Sequence, residues 1–167
     1  RLDQQDEQMD SALNHYLSMT GGREFLAAQN NIIQIYSAQE RYDEALTHVQ
    51  NQREVDTRNS QAYYLMEVEL LNRAKRYEES LQVLNTALHA YTDNIDLRYS
   101  RAMVAEKLGD ISQLEVDLGY IIDKEPENAT ALNALGYTLA DRTPRLDEAL
   151  ALISKARNLS PEDPAII

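Results

Sequence analysis

Cysteine is missing from all 167 residues, so no disulfide, thiolate-bound metal or cysteine nucleophile can form, and the redox compartment stays open. Strand signals are missing as well. No alternating β-branched run occurs, and glycine and proline number only five and four. Positive charge is scarce: 16 basic side chains face 28 acidic ones, a net charge of −12. That balance argues against nucleic acid or an anionic membrane surface as a partner. Long apolar runs are absent too. The longest lies around "ALALI" (149–153), too short to span a bilayer or to act as the core of a signal peptide. No Gly-rich phosphate loop, G-x-S-x-G elbow or H-E-x-x-H pair is present. The chain opens on "RLDQQDEQMD" without an initiator Met and stops at "PEDPAII", which is expected of a piece of a longer protein.

What is present is a repeat. Apolar residues make up 43%, enough for a buried core. "RYDEAL" (41–46), "RYEESL" (76–81) and "RLDEAL" (145–150) superimpose, and Tyr42, Tyr77, Ile111 of "GDISQL" and Leu146 follow one another at 35, 34 and 35 residues. The period divides the chain into units 26–60, 61–94, 95–128 and 129–163. Residues 1–25 read as the end of a preceding unit and 164–167 as the start of a further one. Apolar residues recur at three- and four-residue steps in both halves of each unit, as in Leu132, Leu135 and Leu139 or Leu146, Leu150 and Ile153. The pattern predicts an all-α chain with helices near 3–19, 24–38, 42–54, 61–73, 77–90, 95–108, 111–124, 129–141 and 145–158. Breakers fall at Gly21-Gly22, Gly109-Asp110, Pro126, Thr143-Pro144 and Pro161, and Asn128 and Asp163 read as helix caps.

In "LNALGYTLADRTPRLDEALALISKARNLSP" (132–161), small residues stand at Gly136, Ala149 and Ala156. Two antiparallel helices approach closely only where side chains at their crossing are small or complementary in size. Gly136 and Ala149 are expected at that crossing, with Ala156 facing a neighbouring unit. Elsewhere the pairs are Ile33 with Ala45, Val68 with Ser80, and Ala102 with Leu114.

This spacing of Leu135-Gly136, Leu139, Ala149, Ala156 and Pro161 resembles the tetratricopeptide repeat (TPR), with one residue inserted at "DRTPR". Tyr77, Ser80 and Ala87, and then Gly109, Ile111 and Pro126, carry the likeness through two more units. The departures are Gln52 and Ile121 at usually small positions, and Thr57 and Thr92 in place of the closing Pro. The resemblance implies an α-solenoid of stacked antiparallel helix pairs, a superhelix whose first helices line a concave, partner-binding groove. The wording of 97–118 and 133–166 is more narrowly similar to TPR-containing lipoproteins of Gram-negative envelopes. That likeness implies a periplasmic protein tethered to the outer membrane by a lipid upstream of this chain. It also implies an adaptor for a carboxy-terminal processing protease or its substrates.

No residue set calls for catalysis, so a non-enzyme without cofactor or metal is expected. The acid pairs Asp43-Glu44, Glu78-Glu79 and Asp147-Glu148 all open second helices, where negative charge suits the helix dipole. Adjacent helical residues also point about 100° apart, which makes poor acid–base couples. His15, His48 and His89 lack ligand spacing and read as solvated. Tyr42 and Tyr77 read as core. By family position the groove-facing, partner-binding residues are Asn30, Gln34, Leu65, Glu69, Asn72, Tyr99, Met103, Glu106, Asn133, Tyr137 and Asp141. Tyr99, Met103 and Tyr137 are the expected anchors. The positions where related proteins clamp a C-terminal carboxylate with lysines hold Asn30, Asp96 and Ser100, which excludes that mode. The expected function is a scaffold or adaptor for a protein or peptide partner. The alternative is a module that packs within a larger multidomain protein. Self-association is expected through an apolar end around Ile153, Leu159 and Ile166-Ile167.

Overall fold

The computed structural model describes residues 2–19, 24–164 and 166. Every regular element among them is helical: α1 Leu2–Leu17, α2 Phe25–Ala38, α3 Tyr42–Val55, α4 Ser60–Arg73, α5 Tyr77–Ala90, α6 Ile95–Leu108, α7 Ile111–Lys124, α8 Ala129–Arg142 and α9 Leu146–Leu159. A single 3-10 turn, Thr57–Asn59, replaces the break expected before α4. The Gly21-Gly22 breaker and Ile167 lie outside the described residues, as does part of the helix expected after Asp163.

Local chemistry accounts for the helix ends. Asn94, Asp110 and Asn128 each accept a hydrogen bond from the backbone N–H three residues on, at 2.8, 3.0 and 2.9 Å, capping α6, α7 and α8. The turns after α2, α4 and α6 place Glu40, Lys75 and Gly109 at φ of 57°, 58° and 76°. Only glycine adopts this left-handed geometry without a Cβ clash. Lys75→Gly should therefore raise stability by about 0.5–1 kcal/mol, relief of strain exceeding the added freedom of the unfolded chain. The reverse change, Gly109→Ala, should lower it. Urea midpoints of the two variants check both signs.

Residues up to Arg76 form one compact unit and residues from Tyr77 a second. In the first, α2 packs on α1, α3 and α4, and α3 packs on α4. Ile32, Ile33, Val49, Tyr63 and Leu70 are fully buried there. In the second, consecutive helices from α5 to α9 pack on one another. Its core gathers Ala102, Ala105, Leu114, Leu118, Ile121 and Ala131, with Tyr99, Met103, Ala134 and Leu135 packed against it. Ile121 is thus absorbed at a usually small position, whereas Gln52 stays half-buried. Tyr42 and Tyr77 are half-buried rather than core, because each is the first residue of its helix and remains open on one side. Tyr36 and Tyr63 are the buried tyrosines instead.

The α8–α9 crossing answers the question of the small residues. Gly136, Ala149 and Ala156 are all buried. A Cβ on Gly136 would lie 2.7 Å from Ile153 Cγ1, 3.0 Å from the Ala149 carbonyl oxygen and 3.1 Å from Leu152 Cβ. Gly136→Ala should overpack the crossing and cost about 1–3 kcal/mol, as should Ala149→Leu. Chemical denaturation midpoints equal to the parent's would show that the helices can part freely here.

Candidate functional site

Of the titratable groups, the acid pairs behave as surface structure. Glu44 accepts from Arg41 at 2.7 and 2.6 Å, and Glu148 accepts from Arg145 at 2.9 and 2.8 Å. These guanidinium groups hold both carboxyls below the usual range. Asp43 lies 2.7 Å from Arg76. His15 and His89 are exposed, as expected. His48 departs from expectation. It is half-buried with Nε2 2.6 Å from the Gln29 side-chain oxygen, because Gln29 on α2 is itself buried and turns its amide toward α3. Burial lowers the His48 pKa from its ordinary value. Among the described residues, no cluster of three or more His, Asp or Glu could hold a metal.

The residues expected to face a partner divide between the two units. In the first, Asn30 and Gln34 are exposed on α2, while Leu65, Glu69 and Asn72 are half-buried on α4. The Glu69 carboxylate accepts from Arg73 one turn along, at 2.6 Å. In the second unit, α6 and α8 bring four of the expected residues to one place. Met103 and Glu106 of α6 and Asn133 and Tyr137 of α8 line a cleft of about 230 Å³, with Ala134 and Thr138 completing it. Tyr137 is 48% exposed. Tyr99 and Met103 are half-buried rather than exposed, because both pack against the core. Burial, and then the negative charge of Glu106, raise the Tyr99 pKa. Asp141 does not line the cleft. It is exposed and pairs with Arg142 at 2.7 Å.

Two charged sites escaped the sequence reading. Glu67 on α4 is 3% exposed, takes Gln50 at 2.7 Å, and forms an ion pair with Arg53. Asp117 on α7 has no exposure and accepts from Arg98, Arg101 and Gln113. Arg101 also reaches Asn85 of α5, so one carboxylate ties three helices together. The signal was present. Asp117 interrupts the stripe Leu114, Leu118 and Ile121, and Glu67 sits among Tyr63, Met66 and Leu70. A carboxylate at a core-facing position must find buried partners.

The exposed apolar side chains include Val55 at the end of α3, at 82%, Val116 of α7, at 60%, and Leu146 and Leu150 of α9, at 62% and 66%. Ile153, expected at a sticky end, is half-buried instead, because it packs over Gly136. No helix among the described residues is long and apolar enough to cross a membrane.

Comparison with known proteins bears on the same geometry. The tetratricopeptide repeat family model matches residues 26–95 and 99–164. The chain is 40% identical over its whole 167 residues to the TPR repeat-containing protein PA4667 of Pseudomonas aeruginosa, and spans 28% of that protein's length. In fold it is similar to TTC0263, a TPR protein of Thermus thermophilus, with a TM-score of 0.71 and 20% identity over 96% of this chain and 84% of that one. It is also similar to YrrB, a TPR protein with an unusual peptide-binding site, with a TM-score of 0.64 and 20% identity over 96% and 82%. With helix pairs at the matched positions and a family model covering most of its length, the chain belongs to the tetratricopeptide repeat family.

Proposed function

We propose that this chain is a non-catalytic docking module that holds a segment of a partner protein on the face of its first helices. The observation that carries this reading is the α6–α8 cleft, where Met103, Glu106, Asn133 and Tyr137 converge. Small-molecule sites run to roughly 300–1,000 Å³ and bury most of their ligand. A cleft of about 230 Å³ open to solvent suits one anchoring side chain of a larger partner. The exposed Leu146 and Leu150 would serve the intramolecular alternative, but two residues one turn apart make no continuous stripe.

The division into repeats 26–60, 61–94, 95–128 and 129–163 is part of the same proposal. So are the full-length protein's lipid tether to the outer membrane, its periplasmic location and its recruitment of a processing protease or that protease's substrates. The wording of 133–166 supports these finer points.

Tyr137 is the side chain to test, since its exposure means removal harms binding without opening the core. Tyr137→Ala should weaken binding of a purified partner by about 1–2 kcal/mol. Helicity should persist, and substitution of His48, which does not line the cleft, should change nothing in binding. A photo-crosslinking residue at 137, used in native cells, should capture a partner that the same residue at 116 on α7 does not. Equal capture from both positions would move the docking site elsewhere.

A further inference from the structure

We infer that the α6–α8 cleft selects a partner segment in which an apolar side chain stands next to a lysine or arginine, with Glu106 as the residue that reads the positive charge. This rests on the docking reading above and adds the chemistry of the occupant.

The cleft has two kinds of wall. Met103, Ala134 and the Tyr137 ring supply apolar surface, and a thioether beside an aromatic ring adapts to aliphatic side chains of different shape. Glu106 supplies a carboxylate whose side chain is 24% exposed, sheltered enough for its charge to be poorly screened. The basic group it meets is the exposed Lys107 on the same helix, at 3.5 Å, a contact that a solvated lysine gives up readily. The Tyr99 phenol registers the same negative field.

The rest of the unit deepens the field. Residues 77–167 carry 16 acidic and 8 basic side chains. Half of those cations are already held: Arg98 and Arg101 by Asp117, Arg142 by Asp141, and Arg145 by Glu115 and Glu148. An incoming carboxylate or phosphate would be repelled by Glu106, against which the solvated Lys107 offers a weak counter-charge. A lysine or arginine would complete the ion pair as its neighbour fills the apolar slot. Charge complementarity therefore decides the class of occupant.

Titration of the isotopically labelled chain with two blocked peptides tests this by NMR. They are acetyl-Ser-Gly-Lys-Leu-Arg-Gly-Ser-amide and its counterpart with glutamate at both charged positions. The basic peptide is expected to shift the amides of Met103, Glu106, Ala134 and Tyr137 at millimolar concentration, and the acidic one to leave them in place. Glu106→Gln should weaken the basic peptide by about fivefold, and Glu106→Lys should reverse the preference. Equal affinity for both peptides, or no shift at these four residues, would overturn the inference. In either case a partner cross-linked from position 137 but not 116 leaves the docking reading standing, whereas loss of that cross-link as well removes both.

Discussion

Asp117→Ala should lower stability by about 3–5 kcal/mol, a large share of what a domain of this size possesses. The carboxylate is fully buried and accepts from Arg98 at 3.1 Å, from Arg101 at 2.7 and 2.8 Å and from Gln113 at 2.9 Å. The two arginine side chains are only 13% and 15% exposed. Removing the acid leaves two sheltered cations with their charge uncompensated. Arg98 keeps its place over the Tyr120 ring at 3.7 Å and its bonds to the Thr92 carbonyl, which soften the loss. Asp117→Asn preserves the shape and should cost less than the alanine variant. Replacing Asp117, Arg98 and Arg101 together by apolar residues of similar size should recover much of the lost stability, since the penalty comes from unpaired charge and not from lost attraction. Urea unfolding of the four proteins measures this. A loss below about 1 kcal/mol in Asp117→Ala would mean the cations reach water, and the network would not be what ties α5, α6 and α7.

Leu114→Ala should cost about 2–5 kcal/mol. Leu114 has no exposure and lies in a cluster with Ala102, Ala105, Leu118, Ile121 and Ala131. Three of those neighbours are alanines, with no rotamers by which to lean into the space left behind. The cavity should therefore persist, and the cost should fall in the upper half of that range. This site mirrors Gly136 and Ala149: one crossing fails when filled, the other when emptied. The unfolding midpoint should fall at an unchanged denaturant slope. A loss near 1 kcal/mol would indicate that α6 and α7 close together over the gap.

The amino-acid sequence by itself determined the elements. Helix content, the 34–35-residue spacing and the small residues at Gly136 and Ala149 were legible because they depend on interactions within a few turns or on a period repeated along the chain. The cap at Asn128, and the acidic first turns of α3, α5 and α9, belong to the same class. Tertiary structure decided everything that depends on which side of a residue is covered. Position along the period marked Tyr99, Met103 and Tyr137 alike, yet packing against the core half-buries the first two and leaves Tyr137 open. It likewise turned His48 from a surface residue into a partner of buried Gln29, and gave Glu67 and Asp117 their cations from helices 14 to 19 residues away in sequence. Burial and charge pairing are properties of surfaces that meet in space, and periodicity along one helix specifies a face without specifying what lies against it.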